Sequence, residues 1–492
     1  MMMASDQVNN TCKCLVCLGI KKTINDIYSV LKIYGWILDS YIIDFYHGKL
    51  WSKLPNSWTK ILDDISPEEF GSWIINDFKI KNHVLPLSLL SLGKLLKLLT
   101  INRDEKTNTA ISCSNNKKII NNKLNCNDYE KYIIDNNNKI LKLKNLFNKN
   151  VKEKKRYEIE NFSKYCSYIS YVSNCNAIID IGAGIGHLSR KLSYKYNKKM
   201  ICIEKEKSLS DSAQKYDDNF INILKKSFKK ICGQRPYHYC TKIVDESYEG
   251  SELSDKFNDI LIKNFLFNED EYTNEFGLIG LHPCGDLAVR LLKFFIKQNN
   301  AKFICVVGCC YMKLTTGKNE AKIGYPLSKF VRDKSDNSLS YEALEVACHA
   351  VENYCDKLKN CQYDDLIVHA YRAALEDIYV RKGDGIKHGY IGSVKVKNQM
   401  SFNEYCKLAT MPLEKERQLT EDEIDNKIVN KNINEWKKVV IFEGLRMMLA
   451  PLVETLVLFD RFLFLSEHNI APQLKAIFDP RISSRNFVIT AI

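Results

Sequence analysis

The chain has 492 residues, enough for two or three domains and a sizeable core. Its 45% hydrophobic and 27% charged content excludes a disordered, collagenous or disulfide-scaffold class. The net charge of +13 favours a polyanionic partner if the cations cluster, and only a lysine-rich solvated surface if they are scattered.

Residues 1–24 read as a flexible, cysteine-bearing terminus. Met1 to Asp6 show no basic region ahead of an apolar core, so no signal peptide is read. Eighteen cysteines without such a signal point to reduced thiols in the cytoplasm or nucleus. Cys12, Cys14 and Cys17 spell C-x-C-x-x-C, but no second pair or histidine cluster follows nearby to complete a tetrahedral site. The expectation there is thiols in a loose terminus, with no metal.

Residues 25–101 carry apolar groups at helical spacing, such as Ile27, Val30, Leu31 and Tyr34. Ser66-Pro67-Glu68-Glu69 is a helix start, and Leu85 to Leu99 is a further apolar helix. The region holds no catalytic constellation and reads as a small all-helical domain. Residues 102–127 are rich in Asn, Lys, Thr and Ser, so they read as a disordered linker. A lysine-rich helix over 128–173 then opens one long α/β domain, 128–492. Thr316 to Ala321, Asp333 to Ser340 and Pro412 to Asn432 look like polar insertions in it.

Ala177 to Ile181 suits a buried parallel strand and enters Gly182-Ala183-Gly184-Ile185-Gly186. His187 to Tyr196 reads as a helix, and Met200 to Ile203 as a second strand ending in Glu204. Strand, glycine loop, helix, strand and acid form the first half of a doubly wound nucleotide-binding sheet. Glycines let the backbone turn sharply and approach a ligand, and amides at the next helix start favour a carboxylate or phosphate. Glu204 is placed to accept hydrogen bonds from two ribose hydroxyls, and Asp180 to hold loop amides or a ligand ammonium. A dinucleotide loop would place a third glycine where His187 stands, and no Gly-Lys-Ser/Thr follows for a P-loop. The G-x-G-x-G pattern after Asp180 is the one associated with S-adenosylmethionine, with Gly182, Gly184 and Gly186 at the cofactor.

Gly277 to Leu281 reads as a third strand, followed by His282-Pro283-Cys284-Gly285-Asp286 and a helix over Leu287 to Lys297. Phe303 to Val307 is a fourth, followed by Gly308-Cys309-Cys310-Tyr311. Both turns fall where ligands bind in open α/β sheets. His282, Cys284, Cys309 and Cys310 invite a zinc reading, against which small residues near a cofactor suffice. Asp286 is the candidate catalytic base or substrate-orienting group, or else an N-cap. Tyr311 is a candidate to stack on a flat substrate or donate a hydrogen bond, or else a core ring. Beyond Ser340, Tyr341 to Lys357 and Asp365 to Tyr379 read as helices, and Gly385 to Val396 as a turn and strand. Asn486 to Thr490 completes the sheet. Leu445 to Leu465 is apolar for a membrane span, but Arg446, Glu454, Asp460 and Arg461 make it a buried helix instead.

IIDIGAGIGHLSRKLSYKY, GLHPCGDLAVRLL, VVGCCYMKLT and LAPLVETLVLFDRFLFLSEH resemble the methyltransferase-like protein 25 family, which includes a group named for ribosomal RNA adenine dimethylase. The resemblance runs from Trp51, Leu54-Pro55 and Trp58 to Phe478-Asp479-Pro480 and Arg485-Asn486. The Cys-Gly-Asp and Cys-Cys-Tyr turns look more faintly like tRNA ribose methyltransferases. The resemblance implies a Rossmann-like class I methyltransferase sheet, with cofactor contact at Asp180, Gly182, Gly184, Gly186 and Glu204. One departure matters. N6-adenine methyltransferases use Asn/Asp-Pro-Pro-aromatic where this chain has His282-Pro283-Cys284-Gly285, so adenine dimethylation does not follow from the family's name.

The expected function is S-adenosylmethionine-dependent methyl transfer to RNA or protein, without a membrane span. The alternative is a module that keeps the fold and binds S-adenosylmethionine or RNA without turnover. Lys152 to Arg156 and Lys225, Lys226, Lys229 and Lys230 are the candidate polyanion guides, or else solvated helix faces.

Overall fold

The structure, a computed structural model, describes residues 12–76, 78, 83–114, 145–227, 233–241, 275–317, 324–383, 388, 392–397 and 399–492. The chain divides into two compact units. One comprises 1–24, 102–338 and 457–492, and the other 25–101 with 339–456.

The first unit is built on an eight-stranded sheet. Its strands are β1 (Ile111–Ser112), β2 (Ala177–Ile181), β3 (Lys199–Glu204), β4 (Tyr237–Cys240), β5 (Phe276–Cys284), β6 (Ala301–Cys309), β7 (Gln473–Ala476) and β8 (Phe487–Ala491). Their order is β1-β7-β8-β6-β5-β2-β3-β4. β6, β5, β2, β3 and β4 run parallel, whereas β8 joins β6 antiparallel and β7 joins β8 antiparallel. Strands β2, β5 and β6 are mostly apolar and buried on both faces, as parallel strands covered by helices must be. Phe162, Ile178, Leu192, Phe303 and Val488 meet in one core cluster. The chain winds outward from β2 to β3 and β4, then returns to β2's other side as β5. The switch in winding direction therefore lies between β2 and β5, and a doubly wound sheet opens its ligand crevice there.

The second unit has no strand among its described residues. Pro67–Ile75 begins on Ser66 with a capping box, in which the Ser66 hydroxyl accepts from the Glu69 amide. Leu87–Leu99, Val351–Lys359 and Asp364–Lys382 are further helices. The 32-residue helix Trp436–Glu467, whose residues 436–456 belong to this unit and 457–467 to the first, is apolar on nearly every face and buries most of its length. Among the described residues, no helix is long and apolar enough to cross a membrane.

Three sequence expectations differ from this structure. Residues 102–114 are ordered, whereas a disordered linker was expected: Arg103 Nη2 donates to the Ser484 carbonyl at 2.9 Å, and β1 pairs with β7. Their polar side chains serve as local and long-range hydrogen-bonding groups, which composition alone does not show. The rest of that stretch, 115–127, lies outside the described residues. Residues 339–456 group with the N-terminal helices and not with the sheet, to which only 457–492 return. Residues 392–397 form no strand, and much of the turn expected before them lies outside the described residues.

Candidate functional site

The glycine loop joins β2 to the helix His187–Tyr196. Gly182, Gly184 and Gly186 have φ of +74°, +57° and +73°, a region that side-chain-bearing residues adopt at a cost. Among the described residues, a Cβ on Gly184 would meet no atom within 4 Å. The turn is thus open where a ligand must approach.

Glu204, at the end of β3, faces this turn. Its Oε2 accepts the Gly184 amide at 2.9 Å and its Oε1 the Glu206 amide at 3.1 Å. The side chain is nearly buried, with 9% exposed. Each carboxylate oxygen has a second lone pair, so acceptor capacity remains after these two bonds.

Asp180 is buried beneath the loop, but it does not hold the loop amides. Its Oδ2 accepts the Ser189 hydroxyl at 2.5 Å. The Gly182 and Ala183 amides go to the Ile203 carbonyl at 2.8 and 3.2 Å, and Gly186 closes on Ala183 at 3.0 Å. The loop is thus tied to β3 by the Ile203 carbonyl and the Glu204 carboxylate together. Burial pushes the Asp180 carboxyl up to about 6.

A buried charge cluster, not foreseen from the sequence, holds the loop's far end. Arg190 Nε donates to Asp217 Oδ1 at 2.6 Å, and His238 Nε2 lies 2.7 Å from Asp217 Oδ2. Arg190 Nη2 donates to the Ile185 carbonyl within the glycine loop at 3.2 Å. His238 stands so close that a Cβ on Gly186 would come within 2.9 Å of its ring. Gly186 therefore serves packing as well as conformation. Burial and the Arg190 charge push the His187 ring down to about 4, so it is neutral at pH 7.

A protein-family model described as "Methyltransferase domain" matches residues 154–317, the stretch that carries β2 to β6. Residues 154–317 form a methyltransferase domain. The chain is 30% identical to "Probable methyltransferase-like protein 25" of Homo sapiens over 44% of its length, and 28% identical to that of Mus musculus over the same share. These matches span 36% and 37% of the two relatives, little more than a third of each. Among solved structures, the plantazolicin methyltransferase BpumL in complex with SAH is 13% identical, covering 61% of this chain and 86% of that one. Its TM-score is 0.18, too low to carry weight for fold or ligand.

The ends of β5 and β6 form the other side of the crevice that the switch in winding direction opens. Cys284 and Cys309 place their sulfurs 3.3 Å apart, and Cys310 completes a three-thiol group. His282 does not join them. Its Nε2 lies 3.1 Å from Glu158 on the helix Glu153–Val172, so the zinc set considered from sequence does not assemble as four. The Cys309 thiol, above all, lowers the exposed Cys284 to about 5, with further help from Cys310, Lys313 and His282 against burial. These neighbours favour the Cys284 thiolate over the thiol.

Asp286 is the first residue of the helix Asp286–Lys297, after Gly285 at the cap. Its Oδ1 accepts the Thr315 amide at 2.8 Å, and its Oδ2 accepts the Thr315 hydroxyl. The expected N-cap is thus replaced by a tie to the loop after β6. Tyr311 is only 1% exposed, with the Arg461 guanidinium 5.6 Å from its ring centroid. Stacking on a substrate is not open to a ring buried in this way; it is a core aromatic. Arg461 itself was read from sequence only as a charge unsuited to a bilayer. In the structure it fills the space beside Gly308, where a Cβ would come within 2.3 Å of its Nη1.

Proposed function

We propose that this protein transfers the methyl group of S-adenosylmethionine to RNA. The observation that carries the cofactor assignment is the Gly184–Glu204 pair: open space at a positive-φ glycine, beside a carboxylate at the next strand's end. The residues fit an adenosyl ligand. Glu204 retains acceptor capacity for ribose hydroxyls, and the glycines admit the ligand's backbone-proximal atoms. Asp180, once ionised, offers negative charge beneath the loop for an ammonium or sulfonium.

Bound there, the cofactor supplies an activated methyl on a positively charged sulfur. The chain's own task is to hold, align and exclude water. Arg190 and Asp217 fix the loop's exit, and Asp286 fixes the Thr315 turn. Each Asp286 oxygen accepts one hydrogen bond from Thr315, which fixes the carboxylate on that turn and gives it a positioning role. A positioning role favours an acceptor that is nucleophilic without losing a proton, such as a ring nitrogen of a base, over a ribose hydroxyl.

RNA is favoured by the position of the Lys152–Arg156 run. Lys154 lies 3.9 Å from Glu158, which meets His282 at the end of β5. The Lys155 charge is among those acting on Asp180 and His187. These exposed cations are thus close in charge or contact to the glycine loop and the end of β5, where phosphate attraction would steer a polyanionic substrate. Lys225 and Lys226 end the helix Lys207–Ser227, while Lys229 and Lys230 lie outside the described residues.

The test is tritiated-methyl labelling of extracts with wild type and Gly184→Arg side by side, then separation of RNA from protein. Label in RNA that needs the wild-type protein supports the proposal. Wild-type-dependent label in protein moves the acceptor class. Equal label with both proteins leaves the non-catalytic binding module.

A further inference from the structure

The other cysteine group lies far from the cleft in the sheet order, at the β1 edge. Cys12, Cys14 and Cys17 precede or open the helix Leu15–Asp39, and Cys113 directly follows β1. The sequence gives three thiols in six residues and no nearby fourth. The fold supplies it from 96 residues beyond Cys17, because β1 pairs with β7 and the Cys113 amide donates to the Pro472 carbonyl at 3.0 Å.

The geometry points to a structural zinc site formed by Cys12, Cys14, Cys17 and Cys113. Their four ligand atoms all lie within 4.8 Å of one another. Cys113 Sγ stands 3.6 Å from Cys12, 3.8 Å from Cys14 and 3.9 Å from Cys17. A tetrahedron of thiolates at zinc–sulfur bonds of about 2.3 Å has sulfur–sulfur edges of about 3.8 Å. A disulfide would bring two sulfurs to about 2.05 Å. An iron–sulfur cluster, whose thiolates bind separate irons, would hold them much further apart. The observed spacing is that of four ligands around one ion.

The surroundings suit thiolates. The Cys17 amide donates to Cys14 Sγ at 3.4 Å, and the Ser466 hydroxyl lies 3.5 Å from Cys17 Sγ, able to donate once that thiol has lost its proton. Cys17 and Cys113 are buried while Cys12 and Cys14 are half-buried, which leaves an entry path on one side. Four protein ligands leave no open coordination position, so the ion serves structure and not catalysis. Binding displaces the thiol protons and pins the chain's first helix to the β1–β7 edge, closing a long loop. The inference does not depend on the methyl-transfer reading, since none of its residues lies at the cleft.

The experiment measures metal in the full chain, purified without chelator, by mass spectrometry. Wild type, Cys284→Ser and Cys361→Ser are expected to hold about one zinc per chain, and Cys113→Ser at least about fivefold less. Cobalt replacing zinc in the wild type should give the thiolate charge-transfer and tetrahedral d–d bands. This readout stands even if Cys113→Ser does not fold. Wild type without zinc or cobalt–thiolate bands would overturn the site, as would zinc kept by Cys113→Ser but lost by Cys284→Ser.

Discussion

The two walls of the cleft are made differently. At the ends of β2 and β3, the glycine loop and Glu204 come from 28 consecutive residues, Ala177 to Glu204, and the contacts are largely backbone ones. At the ends of β5 and β6, side chains meet from distant segments: Cys284 with Cys309, Asp286 with Thr315, Tyr311 with Arg461. A wall made by the main chain depends on where glycine stands. A wall made by side chains depends on which partners the fold delivers, so single substitutions there change chemistry more readily than shape.

The largest expected effect tests whether the first wall is as rigid as its contacts suggest. Asp217→Ala leaves Arg190 buried without its carboxylate, which costs roughly 3–5 kcal/mol. Denaturant unfolding checks it. A loss below about 1 kcal/mol would mean that water replaces the pair and that the loop's exit is soft.

Next comes Asp180, whose folded pKa of about 6 exceeds the ordinary value of 3.8. A raised acid stabilises the fold fully below its unfolded pKa, and that contribution is lost as pH rises through the folded pKa. Asp180→Asn should therefore match wild type near pH 4 and exceed it at pH 7.5 by up to about 3 kcal/mol in the ligand-free protein. The same variant should bind S-adenosylmethionine less well. A melting-temperature series over that pH range gives the answer, and equal curves would show Asp180 to be better solvated than its burial implies.

A smaller effect probes the second wall. Cys284 should react with iodoacetamide at pH 7 about tenfold faster than Cys361, whose thiol the Glu68 contact pushes up. Its rate should stay flat from pH 8 to 6 and fall as pH drops through about 5. Mass mapping of modified peptides reads this out. Preferential labelling of Cys361 would show that Cys309 and Cys310 do not stabilise the Cys284 thiolate.

This contrast also explains what the sequence makes legible. Strand and helix bounds around Gly182 to Gly186 follow from local apolar runs, and the structure has β2 over the expected residues and the helix His187–Tyr196 as read. The β8 strand was equally readable, since Phe487 to Ala491 is a compact apolar run. Arg190, Asp217 and His238 were not, because nothing local says that three polar groups on different elements will share one buried site. Cys113 sits in a stretch whose composition suggested disorder, and its value lies wholly in where β1 pairs. The grouping of 339–456 with 25–101 was hidden for the same reason: apolar helices say that they pack, not on what.

Isothermal calorimetry of S-adenosylmethionine against wild type and Gly184→Arg tests the central claim most directly. The open turn beside Glu204 predicts a single saturable site in the wild type and at least a hundredfold weaker binding, about 2.7 kcal/mol, in the variant, with the far-UV spectrum unchanged. Equal affinity in the two proteins, or none in the wild type, would contradict the assignment of that turn as the cofactor's seat.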